Sequence, residues 1–215
     1  MTSPNLFVLG TNGVCNFKIS NSIFKQKNRS DDKAQNGFII YSNSVVDIIN
    51  CTFYDMNNVM LGITIEDTEN IKANFKDCNF MNINSGTSNN TIFNLGKITN
   101  NTLILDNCHV NCGRIIYVGS TATYNKYIVK NCIINSNDPN YLVSIRNNSD
   151  KLTLINNIAT ALVTVANIVY NGGSFAATGI STLNNFFYSY SRFASVTESN
   201  ACTKIGSYLD NTLIS

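Results

Sequence analysis

The sequence predicts an all-β chain wound as a right-handed parallel β-helix, a solenoid of about seven to eight coils with three short strands in each. Three observations point there. One eight-residue motif recurs through most of the chain, and a short apolar run follows most of its copies at a similar offset. No segment carries a sustained apolar stripe of helical period and length, so crossover helices are not available to build an α/β fold.

The motif reads apolar, any, apolar, any, Asn, small polar or Cys, any, apolar. It occurs as FKISNSIF (17–24), VDIINCTF (46–53), ANFKDCNF (73–80), LILDNCHV (103–110), YIVKNCII (127–134), LTLINNIA (152–159) and ISTLNNFF (180–187). The mean spacing is about 27 residues, within the range of solenoid repeats. A sandwich of short strands has no reason to repeat one corner residue seven times, so the solenoid is the better reading.

The second motif is the run 38–41 (FIIY), 91–95 (TIFNL), 114–118 (RIIYV), 141–145 (YLVSI) and 161–165 (ALVTV). Each coil then holds two strands that meet at the Asn corner and a third after a loop. Strand alternation turns the position three before the residue after the corner inward, as at Ile48, Phe75 and Leu105, together with the last motif position, as at Phe53 and Phe80. The corner residues Asn21, Asn50, Asp77, Asn107, Asn131, Asn156 and Asn184 form a column suited to an amide ladder. Directly after the corner, Cys51, Cys78, Cys108 and Cys132 fall in consecutive coils. They lack the close pairing of metal sites, and stacked side chains point the same way, which is poor disulfide geometry. They read as small buried side chains.

Composition agrees with this frame. Charged residues make up 13%, hydrophobic residues 44%, and there are two prolines. Abundant Asn supplies turns, because it tolerates left-handed backbone. The net charge of +2 offers no large field for a polyanion, and no nucleic-acid partner is expected. The dense run 25–33 (KQKNRSDDK) carries both signs and reads as a solvated loop. No apolar stretch approaches the roughly 20 residues of a membrane span, and the amino terminus lacks the basic and apolar regions of a signal peptide.

The expected organisation is coils over 1–187 and a carboxy-terminal tail over 188–215 that packs on the last coil. Leu6–Gly10 resembles the third-strand runs that end at Gly96 and Gly119, so the chain is expected to enter mid-coil. Missing amino-terminal coils or a homo-oligomeric partner would cover that end, because an uncapped solenoid leaves sheet edges open.

The coil motif, as in VDIINCTF and LILDNCHV, resembles the repeat of pectate-lyase-like right-handed β-helix proteins. The Asn-rich, low-charge style is similar to surface and secreted β-helix proteins of Bacteroidetes. The resemblance runs from about Leu6 to Phe187. It implies an extracellular or cell-surface domain that binds polysaccharide, as a non-catalytic or incomplete part of a larger protein. It equally admits a structural stalk, adhesin or tailspike segment acting through oligomerisation, or a polysaccharide lyase, because one fold hosts many activities.

Site chemistry is sparse. A glycoside hydrolase needs two carboxylates about 5 to 9.5 Å apart, and no two acids stack at equivalent outward positions of adjacent coils. A lyase needs a base and positive charge. Lys76, Asp106 and Lys130 on three successive coils, with the single histidine His109 nearby, are the candidates, although the three charges also read as a ladder that neutralises itself. Glu66, Asp67 and Glu69 are the candidate calcium ligands, calcium being an oxygen-seeking ion. Outward apolar residues such as Ile133, Ile158 and Phe186 suggest a contact surface. Tyr188, Tyr190 and Arg192, in an aromatic stretch, are the candidate sugar-binding side chains, with rings to stack and polar tips to hydrogen-bond.

Overall fold

The corner residues anticipated from the repeat turn the chain in the way their chemistry suits. In the computed structural model of the chain, Asn21, Asn50, Asp77, Asn107, Asn131, Asn156 and Asn184 all have left-handed backbone, with φ between 50° and 56°. Asn and Asp reach this region at lower cost than other side chains. The structure describes residues 7–9, 13–25, 38–41, 43–54, 61–63, 68–83, 91–95, 98–118, 123–138, 140–145, 149–171, 179–194 and 203–213.

The fold is all-β, with essentially no helix among the described residues, and it is a parallel β-solenoid. Its first ladder is an eight-stranded parallel sheet of Asn16–Ser20, Val45–Ile49, Lys72–Lys76, Thr102–Asp106, Lys126–Lys130, Lys151–Ile155, Ile180–Leu183 and Thr203–Ile205. A second ladder begins just past the Asn corner, with Ile23–Lys25, Thr52–Tyr54, Asn79–Ile83, His109–Cys112 and Ile133–Ser136. A third holds Phe7–Leu9, Phe38–Ile40, Leu61–Ile63, Thr91–Leu95, Arg114–Val118 and Tyr141–Ile145. The second and third ladders merge because Ile158–Asn171 runs unbroken across both, and Phe186–Ala194 follows it.

Pairing extends past Phe187. Thr203–Ile205 joins the first ladder and Tyr208–Leu209 the second, with Gly206 (φ 58°) at the corner between them. Thr212–Leu213 then folds back antiparallel on Tyr208–Leu209. The corner here is Gly rather than Asn, so a search for the Asn motif does not find this repeat.

Side chains link the corners in pairs of adjacent rungs. Asn50 Nδ2 donates to Asn21 Oδ1 at 2.7 Å, and Asn107 Nδ2 to Asp77 Oδ1 at 2.7 Å. A second ladder, not anticipated from the sequence, lies at the entry to the first sheet. Asn43, Asn70 and Asn100 are left-handed there (φ 59°, 57° and 55°). Asn100 Nδ2 donates to Asn70 Oδ1 at 2.7 Å, and Asn70 Nδ2 to Asn43 Oδ1 at 3.1 Å.

The interior is a set of apolar columns. Ile48, Phe75, Leu105, Val129 and Leu154 are buried on successive rungs of the first ladder. Phe24, Phe53 and Phe80 stack face to face at 5.1 and 5.3 Å on the second. Each such side chain contributes about 1.5–3 kcal/mol on full burial. Cys51, Cys78, Cys108 and Cys132 are buried free thiols. Each Sγ donates to the carbonyl two residues earlier at 3.1–3.4 Å, which caps the turn within its own rung. In the next two rungs Asn157 and Asn185 take this position, and Asn157 donates its N–H and Nδ2 to Asn185 Oδ1 at 2.9 Å each.

Candidate functional site

Parallel register places Lys76, Asp106 and Lys130 side by side on the outer face of the first sheet. Lys130 Nζ lies 3.0 Å from Asp106 Oδ2, and Asn131 Nδ2 donates to Asp106 Oδ1 at 3.0 Å. Partial burial alone would raise the Asp106 carboxyl. The hydrogen bonds from Lys130 and Asn131, with the charges of Lys130 and Lys76, outweigh it and hold the group below its ordinary value. An ionised carboxylate clamped in this way is a weak proton acceptor.

His109 is not brought to this trio. It is exposed on the second ladder, beyond the corner, with Asn79 and Ile133 as its register neighbours. The corner at Asn107 turns the chain between Asp106 and His109, so nearness in sequence does not put them on one face.

The aromatic stretch is split by a second left-handed residue, Ser189 (φ 63°). Before it, Phe186 and Tyr188 stand on the second ladder, opposite Ile158 and Thr160. After it, Tyr190 opens the third-ladder segment opposite Val165. Tyr188 is half-buried, whereas Tyr190 is only 3% exposed and packs edge-on to Phe187 at 6.4 Å. Tyr190 therefore belongs to the interior and is withdrawn from any outer-face ligand, a change from its grouping with Tyr188 in the sequence. Arg192 pairs through its backbone with Asn167, and its side chain lies outside the described residues.

Tyr208 takes the place beside Tyr188 that the sequence reading gave to Tyr190. Its ring stacks on Phe186 with centroids 5.1 Å apart and planes 6° from parallel. Phe186 is 38% exposed and Tyr208 half-buried. Continuing the row, Ile158 pairs with Phe186 and Ile133 with Ile158, and both isoleucines are exposed. The outer face of the second ladder thus carries an apolar row, Ile133–Ile158–Phe186–Tyr208, with Tyr188 alongside. The signal for Tyr208 was the displaced repeat KIGSYL at 204–209.

Of the candidate calcium ligands, Glu69 is exposed at the end of strand Thr68–Glu69, and Glu66 and Asp67 lie outside the described residues. Among the described residues, no group of three His, Cys, Asp or Glu side chains is placed to hold a metal ion.

Sequence reading also passed over a buried ion pair. Arg114 Nε donates to Asp138 Oδ2 at 2.7 Å, and the two side chains are 4% and 2% exposed. The guanidinium lies over the Tyr141 ring at 4.5 Å and the Tyr117 ring at 5.4 Å, and donates to the Tyr141 hydroxyl at 3.0 Å. Asp138 Oδ1 accepts the Asn140 and Tyr141 N–H groups at 2.8 and 3.2 Å, which fixes the bend between the second and third ladders. The pair is satisfied and internal, so its role is structural. An Arg opening an otherwise apolar strand run was the available sign.

Comparison with known proteins adds little to this geometry. No family model matches the chain, and no curated protein matches it. A solved structure of QnrB1, a plasmid-mediated fluoroquinolone resistance protein, aligns over 93% of this chain and 92% of its own, at 14% identity and a TM-score of 0.24. A score that low carries no argument about function. What stands after these comparisons is a parallel β-solenoid with an aromatic row on one outer face.

Proposed function

We propose that this chain is a polysaccharide-binding β-solenoid domain of an extracellular or cell-surface protein. In this reading it is a non-catalytic member of a pectate-lyase-like, right-handed superfamily. Parallel crossovers are right-handed in about 98% of cases, and the eight-stranded first ladder supports seven to eight coils.

The observation that carries the binding reading is the Phe186–Tyr208 stack with Tyr188 beside it on the outer face of the second ladder. Aromatic rings with a polar tip offer sugars an apolar plane and a hydrogen-bonding edge. Asp106, held ionised beside Lys76 and Lys130 and separated from His109, lends no support to lyase chemistry. Affinity electrophoresis against neutral and acidic glycans tests the proposal. Retardation by at least one glycan, lost in a Phe186→Ala/Tyr208→Ala variant of unchanged fold, is expected. Free migration through every glycan gel would overturn it.

A second reading is favoured by the isoleucines that extend the row. Ile133 and Ile158 are 52% and 46% exposed, and Leu162 and Val163 are exposed on the strand that carries Ile158. An apolar patch of this kind marks a contact, and a homo-oligomeric stalk would bury it. Light scattering distinguishes the two, since the stalk requires an oligomer that Ile158→Lys dissociates.

A further inference from the structure

The cysteine column offers more than the turn it caps requires. A residue at this position closes the turn by donating to the carbonyl two residues earlier, and a hydroxyl does so as readily as a thiol. Ser22 Oγ donates to the Ser20 carbonyl at 3.0 Å. Ser207, as fully buried as the cysteines, donates to the Ile205 carbonyl at 3.5 Å. Serine therefore fits the position, even in a buried rung. Capping alone does not account for thiols in four successive rungs, Cys51, Cys78, Cys108 and Cys132, all buried and free.

Distant in sequence, these thiols are neighbours in space. The N–H groups of Asn79, His109 and Ile133 donate to the Cys51, Cys78 and Cys108 carbonyls at 2.9, 2.9 and 3.0 Å, so each cysteine is stacked on the one before. The Cys108 thiol is hydrogen-bonded to those of both Cys132 and Cys78. These bonds hold the Cys78 and Cys132 thiols below their ordinary value, against burial, and together with burial they push Cys108 up. Cys51, raised by burial, ends the row beside Cys78.

Parallel side chains at this spacing suit an ion lying between them better than a disulfide. Rungs repeat at about 4.8 Å. Two collinear metal–sulfur bonds of about 2.3 Å, the length a d10 ion makes to thiolate, span nearly the same distance. The bonds then run along the solenoid axis, roughly perpendicular to each Cβ–Sγ bond, which is the bend that coordinated sulfur prefers. Zinc does not fit, because a structural zinc takes four ligands in a tetrahedron, and the described residues offer no group of even three. Thiolate selects soft Cu(I), an ion that accepts two sulfurs in line.

We propose that the column binds soft monovalent metal ions, Cu(I) in particular, with one ion bridging each pair of neighbouring thiols. The four thiols leave three gaps, which take three ions. Each ion displaces one proton to solvent. Four thiols and three Cu(I) ions thus give a thiolate-bridged chain and three protons, with the end thiol of Cys51 still protonated. No electron is transferred. The chain carries no net charge, as an interior requires in which an uncompensated charge is costly. A short way in exists at the corner, since each thiol lies one residue behind an exposed or half-buried Asn or Asp. The site is independent of the outer faces and of the glycan reading.

Anaerobic titration of the reduced whole chain with acetonitrile-stabilised Cu(I) tests this, with the ion added to folded protein and, separately, during refolding from urea. About three ions per chain, one for each gap between the four cysteines, should survive gel filtration. X-ray absorption should show two sulfur neighbours for each copper. Cys51→Ser leaves two gaps and should retain two ions. Cys108→Ser leaves only the gap between Cys51 and Cys78 and should retain one, although it too removes a single thiol. Cys112→Ser, which removes a buried thiol of the second ladder outside the column, should retain all three. Circular dichroism of the copper-free variants controls for folding, and Ser207 shows that serine suits the position. The proposal is overturned if neither route leaves copper on the chain, if Cys51→Ser and Cys108→Ser lose copper equally, if zinc is retained in the same stoichiometry, or if the copper has nitrogen or oxygen neighbours in place of sulfur.

Discussion

Asn125 donates both its backbone N–H and its Nδ2 to a single carboxylate oxygen, Oδ1 of Asp150, at 2.9 and 3.0 Å. Asn101 makes the same paired donation to Asn125 Oδ1. Asp150 thus ends a buried amide column, and its second oxygen, Oδ2, is buried with no hydrogen-bond partner among the described residues. Burial raises its carboxyl, against the Asn125 hydrogen bonds, to about 6.

The pH dependence follows from that position. The folded-state value lies above the ordinary carboxylate value, so the folded chain holds this proton more tightly than the unfolded chain. Stability from this group is present below about pH 4 and is lost as pH rises through about 6, a change of order 2–3 kcal/mol. Urea melts between pH 4 and 7 should show it. Asp150→Asn keeps an acceptor for Asn125 and removes the ionisation, so its melts should be flatter across that window and it should be the more stable protein at pH 7.

The Arg114–Asp138 pair predicts a strongly non-additive mutant cycle. Either Arg114→Leu or Asp138→Leu removes one half of a buried ion pair, a loss of about 3–5 kcal/mol. The double Leu variant removes both charges and should recover much of that loss. Equal and additive losses in chemical denaturation would show that the pair is not coupled.

Gly206 makes a sharper prediction. A Cβ there would lie 2.5 Å from Asn184 Oδ1, and the backbone is left-handed at φ 58°. Gly206→Ala should therefore cost about 1–2 kcal/mol. Gly206→Asn should cost less, because asparagine tolerates this backbone and its amide can donate to Asn184 Oδ1. The thermal midpoints of the two variants rank them directly.

These residues show where the sequence was informative. Val46–Phe53 and its relatives reveal the solenoid because a corner that must be left-handed restricts the residue type, and stacking repeats that restriction in every rung. The cysteine column was readable for the same reason. By contrast, Gly206 hid the last repeat, because glycine meets the same backbone demand with a different letter. Tyr190 looked like a neighbour of Tyr188 until Ser189 turned the chain between them and carried its ring inside. Arg114 and Asp138 lie in different repeats, and their pairing depends on how one rung sits on the next.

By itself, then, the sequence determined the architecture: strands without helices, an asparagine corner, apolar columns inside. Each of these is a local constraint on backbone or burial, and local constraints recur visibly along a chain. Only the tertiary structure decided what the surface is. Parallel register brought Lys72, Lys126 and Lys151 into one row, set Phe186 against Tyr208, and placed His109 across a corner from Asp106. Outward side chains obey no stacking rule strong enough to repeat, so their neighbours in space are set by register and emerge only when the rungs are laid on one another.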